Sequence, residues 1–193
     1  GTWRGWKAYG TTVLGDWVCH VIDPVFWALD LGAPNLVVAE DVGDYDPQAH
    51  AEIWPCDMVI RYEFPANGSR GPVTLYWYGN GAKPPRPEGL DADKKLPPVG
   101  AYVLGDKGGI LYGSHGAGDW HLFPETLRKD YKQPPKTLPR VSKPGAYFEG
   151  HHQNWLNAVR NGGKACSDFS YGGPLTEIAL LGVMALRFPG QEL

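Results

Sequence analysis

Three short runs of branched and aromatic residues, at 35–40 (NLVVAE), 58–64 (MVIRYEF) and 73–78 (VTLYWY), constrain this chain more than any other feature. Side chains of that kind fit a pleated, half-buried surface, so each run reads as a strand. Ala66-Asn67-Gly68-Ser69 supplies a turn between the last two, which predicts an antiparallel ladder. Residues 101–113 (AYVLGDKGGILYG) add two short strands around Asp106-Lys107-Gly108-Gly109, read as a hairpin in which Asp106 and Lys107 only make the turn. Helical spacing brackets this block. Residues 14–31 (LGDWVCHVIDPVFWALDL) are apolar with polar breaks at Asp16, His20 and Asp23, and Pro24 should bend that helix because it cannot donate to the His20 carbonyl. In residues 147–161, Phe148, His152, Trp155 and Val159 recur at helical intervals before Gly162-Gly163. A last helix is predicted from Gly173-Pro174 to about Arg187, with Gly182 marking close packing, since glycine there costs about 1 kcal/mol relative to alanine. Strands in a block with helices at both ends indicate an α+β fold: a largely antiparallel open β-sheet with helices packed on one face.

The 193 residues fit one domain, taken as residues 1–193, with Pro-rich stretches at 81–100 and 133–145 as loops. Eight Trp and ten Tyr need packing and outweigh the disorder signal of 26 Gly and 18 Pro. A net charge of -3 supplies no basic field for nucleic acid. Cys19, Cys56 and Cys166 are widely spaced and odd in number, and indicate neither a disulfide framework nor a metal site. No run reaches the roughly 20 apolar residues of a membrane span. The chain opens Gly-Thr-Trp-Arg with no basic-then-apolar leader, as expected of a piece of a longer protein, and the compartment, cytoplasmic or exported, stays open. Neither Gly-x-Gly-x-x-Gly after a strand nor Gly-x-x-x-x-Gly-Lys-Ser/Thr occurs, so the sequence offers a dinucleotide's phosphates no visible place.

On the first helix Asp16, His20 and Asp23 fall at i, i+4 and i+7 and share a face, with Trp27 a further turn along. An imidazole flanked by carboxylates holds its proton more tightly and keeps one tautomer, which suits a general acid/base near neutral pH. A polar stripe on an amphipathic helix is most often simply a solvated face, and spacing alone does not decide between the two.

Residues 11–34 (TTVLGDWVCHVIDPVFWALDLGAP) resemble the start of the C-terminal domain of the glucose-fructose oxidoreductase / inositol dehydrogenase (Gfo/Idh/MocA) family. The resemblance continues in VLGDKGGILYGSHG, in HHQNWLNAVRNG and in DFSYGGPLTEIALLGVMALR, and so covers most of the chain. It implies an open-sheet domain that backs a substrate site, normally preceded by an N-terminal Rossmann domain with a Glu-Lys-Pro motif, which this sequence lacks. The family's Asp-x-x-x-His pair falls on Asp16 and His20. His20 would then exchange the proton of a substrate hydroxyl, and Asp16 would orient His20 or hold a neighbouring hydroxyl. Many members have Gly two residues before the His; this chain has Val18, which bears on how closely substrate approaches.

The resulting expectation is the substrate side of an NAD(P)-dependent oxidoreductase acting on a sugar, sugar acid or cyclitol. NAD or NADP would be bound mainly by the Rossmann domain, the sheet would mediate a homo-oligomer, and this chain alone would be inactive. The competing expectation is a non-catalytic carbohydrate-binding or oligomerisation module. Catalytic candidates are His20 and Asp16. Substrate-binding candidates are Asp23, Arg4, Trp6, Trp27 and His151, with Arg4 and Trp6 suited to a carboxylate or polyhydroxylated ring and His151 directed toward a site while His152 faces the core. For Trp6 and the histidines, packing is the competing role.

Overall fold

A computed structural model describes residues 2–138 and 149–193. It is an α+β protein with two antiparallel three-stranded sheets. The chain divides into two compact units, Gly1–Asp130 with Leu175–Leu193, and Tyr131–Pro174.

In the first unit a 3₁₀ turn at Thr2–Gly5 precedes α1 (Thr12–Val21) and α2 (Asp23–Leu29). The single helix predicted over residues 14–31 is thus two, separated at Ile22. The cause is the one expected of a bend: Pro24 has no N–H for the His20 carbonyl, yet its fixed φ suits the first turn of α2. At the start of α1 the close approach of Thr11 demands glycine at position 15, where a Cβ would fall 1.9 Å from Thr11 Oγ1.

β1 (Leu36–Asp41), β2 (Met58–Phe64) and β3 (Val73–Gly79) pair antiparallel in the order β1-β2-β3. The turn after β2 closes as the sequence indicates, with Asn67 and Arg70 exchanging backbone hydrogen bonds of 3.0 Å. Alternation along β2 sorts its side chains: Met58, Ile60, Tyr62 and Phe64 are buried, while Arg61 turns outward to pair with Glu40 at 2.5 Å and with Glu63. Leu14 and Val18 of α1 and Ile178 of α5 (Phe169–Ala185) are wholly buried. Gly182 of α5 lies against both Tyr62 and Leu14, so α1 and α5 cover the buried face of β2. Close packing at Gly182 is borne out.

The second sheet has β4 (Gly100–Gly105), β5 (Gly108–Gly113) and β6 (His121–Phe123) in that order. The predicted hairpin forms with Asp106-Lys107 at its turn. β6 and α3 (Glu125–Asp130), which sequence periodicity did not signal, complete it. Leu90, Leu111 and Phe123 form its small core. The Tyr112 hydroxyl of β5 donates to the Val21 carbonyl at 2.9 Å, which ties this sheet to the end of α1.

In the second unit, α4 (Glu149–Asn161) ends at Gly162, φ +69°, as predicted from Gly162-Gly163. Tyr147 and Phe148 lie outside the described residues. His152, expected to face the core with Trp155, is instead exposed, and Trp155 and Val159 are 59% and 67% exposed. The α4 stripe has the period of a buried face without being buried within this unit. α5 begins at Phe169, four residues before the predicted start, because the Asp168 carboxylate accepts the Ser170 N–H at 2.8 Å and opens the helix there. Pro174 consequently sits inside the helix. Among the described residues no helix is long and apolar enough to cross a membrane.

Candidate functional site

α1 presents His20 to solvent one turn beyond Trp17, and their ring centroids lie 5.4 Å apart. A second imidazole completes the group. His115, in the loop after β5, stands 4.9 Å from the His20 ring and 5.3 Å from Trp17, whose indole it meets edge-on at 82°. The Tyr112–Val21 hydrogen bond explains the meeting, because it anchors the strand that feeds this loop to the carboxyl end of α1.

The loop itself is held in an uncommon conformation. His115, Gly116, Ala117 and Asp119 all have positive φ, His115 at +58°. Backbone bonds from Gly113 N–H to the Gly118 carbonyl (2.8 Å) and from Ser114 N–H to the Val99 carbonyl (3.2 Å) fix it. Left-handed backbone outside glycine is costly, and histidine is among the residues that adopt it more readily. Ser114 Oγ lies 2.7 Å from His115 Nδ1, leaving Nε2 without a partner among the described residues. Neither ring nitrogen of His20 has a hydrogen-bond partner among those residues either.

Asp16 was expected beside His20. The structure pairs its carboxylate with Arg4 Nε instead, and the Arg4 guanidinium also lies 4.7 Å from the Trp3 ring centre. Arg4 and Asp16, proposed separately from the sequence, therefore form one ion pair next to the His20 face. Asp23 lies close to the thiol of Cys19 and the phenol of Tyr112. Burial first, and this carboxylate second, push both groups above their ordinary values. Trp27 is 60% exposed on α2, one turn beyond Asp23. Val18 is wholly buried, which directs its side chain to the core rather than to the His20 surface.

Trp6 lines a separate open cleft of about 590 Å³ with Lys7, Tyr9 and Glu52. A second cleft of about 270 Å³ lies between Val42–Tyr45 and Ile53–Asp57. Neither is lined by His20, Asp16 or His115. His151 belongs to the second unit, where its Nδ1 is 4.0 Å from Cys166 Sγ and its ring 6.2 Å from that of His152. Among the described residues no three His, Cys, Asp or Glu side chains are arranged to hold a metal ion.

Sequence reasoning missed His115 and Ser114. The signal available was a polar pair between glycines directly after a strand, in Gly-Ser-His-Gly, a place where loops carry functional groups. Together the residues make an open surface with two imidazoles as hydrogen-bonding groups and an indole as an apolar wall. Such a surface can bind hydroxyl groups and exchange their protons. No protein-family model matches the chain, and no curated protein does.

Proposed function

We propose that this chain supplies the substrate side of an NAD(P)-dependent oxidoreductase of the Gfo/Idh/MocA type, acting on a sugar, sugar acid or cyclitol. The observation that carries this reading is the solvent-facing His20, with unpartnered ring nitrogens, set against Trp17 and His115. His20 accepts the proton of the reacting hydroxyl in one direction and returns it in the other. Trp17 offers its apolar surface to the C–H side of the ring. Arg4 holds Asp16 beside this face, where the pair can receive a further hydroxyl or a carboxylate.

The residues present do not fit a dinucleotide. The sequence contains no glycine-rich phosphate turn, so NAD or NADP belongs to an N-terminal Rossmann domain in this proposal. That group would supply the hydride acceptor or donor. The homo-oligomer formed through the sheet is part of the same proposal.

The test is His20→Ala in the intact gene product, assayed with NAD and NADP against sugars, sugar acids and cyclitols. Turnover is expected to fall on the order of 10²-fold or more. Unchanged turnover removes the proton-transfer role. If polyol binding persists in a protein without turnover, the carbohydrate-binding reading takes its place.

A further inference from the structure

We infer that His115 and His20 together form a clamp for two neighbouring hydroxyl groups, so that the site selects substrates bearing a vicinal diol; this rests on the polyol reading above. Nothing in the sequence pattern assigned His115 a role, and three observations do. First, the two imidazoles come from different elements, α1 and the loop after β5, yet their centroids are 4.9 Å apart with planes inclined at 42°. Rings so placed can each make a normal hydrogen bond to one of two adjacent hydroxyls, so that a diol fills both rings at once. Second, Ser114 Oγ at 2.7 Å occupies Nδ1 and sets the orientation of the ring, which leaves Nε2 as the nitrogen for ligand. Third, His115 is held at φ +58° by a loop closed at Gly113–Gly118 and at Ser114–Val99, a strained placement that the surroundings maintain. Trp17 lies nearly equidistant from both rings, at 5.4 and 5.3 Å, and stands beside the pair as an apolar wall.

The clamp predicts a division of labour. His20 contacts the reacting hydroxyl, and His115 contacts its neighbour and decides whether a substrate lacking that neighbour is accepted. Both nitrogens can donate or accept according to tautomer, which matches the dual character of a hydroxyl.

Calorimetric titration of the intact gene product with D-glucose, D-galactose, myo-inositol and D-gluconate, each alongside an analogue lacking one of two adjacent hydroxyls, tests it. The informative variants are His115→Gly, which removes the ring without backbone strain at a positive φ, and His20→Ala. For the tightest-binding diol, His115→Gly should weaken affinity about tenfold, the worth of one well-made hydrogen bond, while the deoxy analogue binds as before. Ser114→Ala, which keeps the ring but frees it, should give a smaller loss in the same direction. If His115→Gly keeps the wild-type ratio between diol and deoxy analogue while His20→Ala loses binding, the clamp is wrong and the polyol site stands. If no polyol binds the intact wild-type protein, or His20→Ala binds like wild type, the polyol reading fails and the clamp goes with it.

Discussion

Cys19 precedes His20 on α1, and its thiol shows how the field near the site acts on a single group. Cys19 is exposed as a residue, but the packing around its sulfur partly desolvates the thiolate and the Asp23 carboxylate adds repulsion, so the proton is held more tightly than on an ordinary cysteine. In a chain with Cys56→Ser and Cys166→Ser, titration of thiolate absorbance should place the Cys19 midpoint above the ordinary value of about 8.5. Asp23→Asn should lower that midpoint only part of the way, because burial is the larger cause. An ordinary midpoint, or one indifferent to Asp23→Asn, contradicts the geometry. The site was legible from the sequence to the same partial degree. Helical period placed Asp16 and His20 on one face, and aromatic-cationic composition singled out Arg4. It could not reveal that Arg4 reaches Asp16, or that His115 reaches His20 from 95 positions further along the chain, since both meetings depend on how separate elements pack.

Among the elements, α5 and β2 meet so closely that one methyl group tests their packing. A Cβ at Gly182 would fall 2.0 Å from the Tyr62 hydroxyl and 2.6 Å from Leu14 Cδ2. Alanine gains about 1 kcal/mol of helix propensity, but overpacking costs about 1–3 kcal/mol, so Gly182→Ala should lower stability on balance. The Tyr62 hydroxyl is buried with no hydrogen-bond partner among the described residues, and burial pushes its ionisation far upward. Tyr62→Phe should therefore be neutral or stabilising by up to about 1 kcal/mol. In that background Gly182→Ala should be milder, because the nearest obstructing atom is gone; denaturant midpoints of the four proteins give the coupling. Strict additivity, or a stabilising Gly182→Ala, rejects this account of the contact. The strands of this sheet were readable because branched and aromatic residues alternate over a half-buried ladder. The α1–α2 break followed from Pro24, but the early start of α5 did not, since Asp168 overrode the usual meaning of Gly-Pro.

For the whole molecule, burial is unevenly distributed between the two units, and this predicts where the chain opens. The first unit contains every hydrophobic side chain that is buried among the described residues. In the second, Leu156 and Ala158 are half-buried while Trp155, Val159 and Phe169 are largely exposed. The 13 residues of α4 are near the length at which an isolated helix is marginal in water. Little buried area opposes its opening, so local unfolding there should require far less free energy than global unfolding. β2, hydrogen-bonded to a strand on each side and carrying four buried side chains, should open only with the whole first unit. Native-state hydrogen exchange resolved by residue reads this directly. Amides in α4 should exchange at least roughly 10²-fold faster than those of β2, after correction for intrinsic rates. Equal protection would mean that the α4 stripe of Trp155 and Val159 is covered in solution, and dilution would then separate association between chains from a stable single-chain contact, because only association weakens as concentration falls.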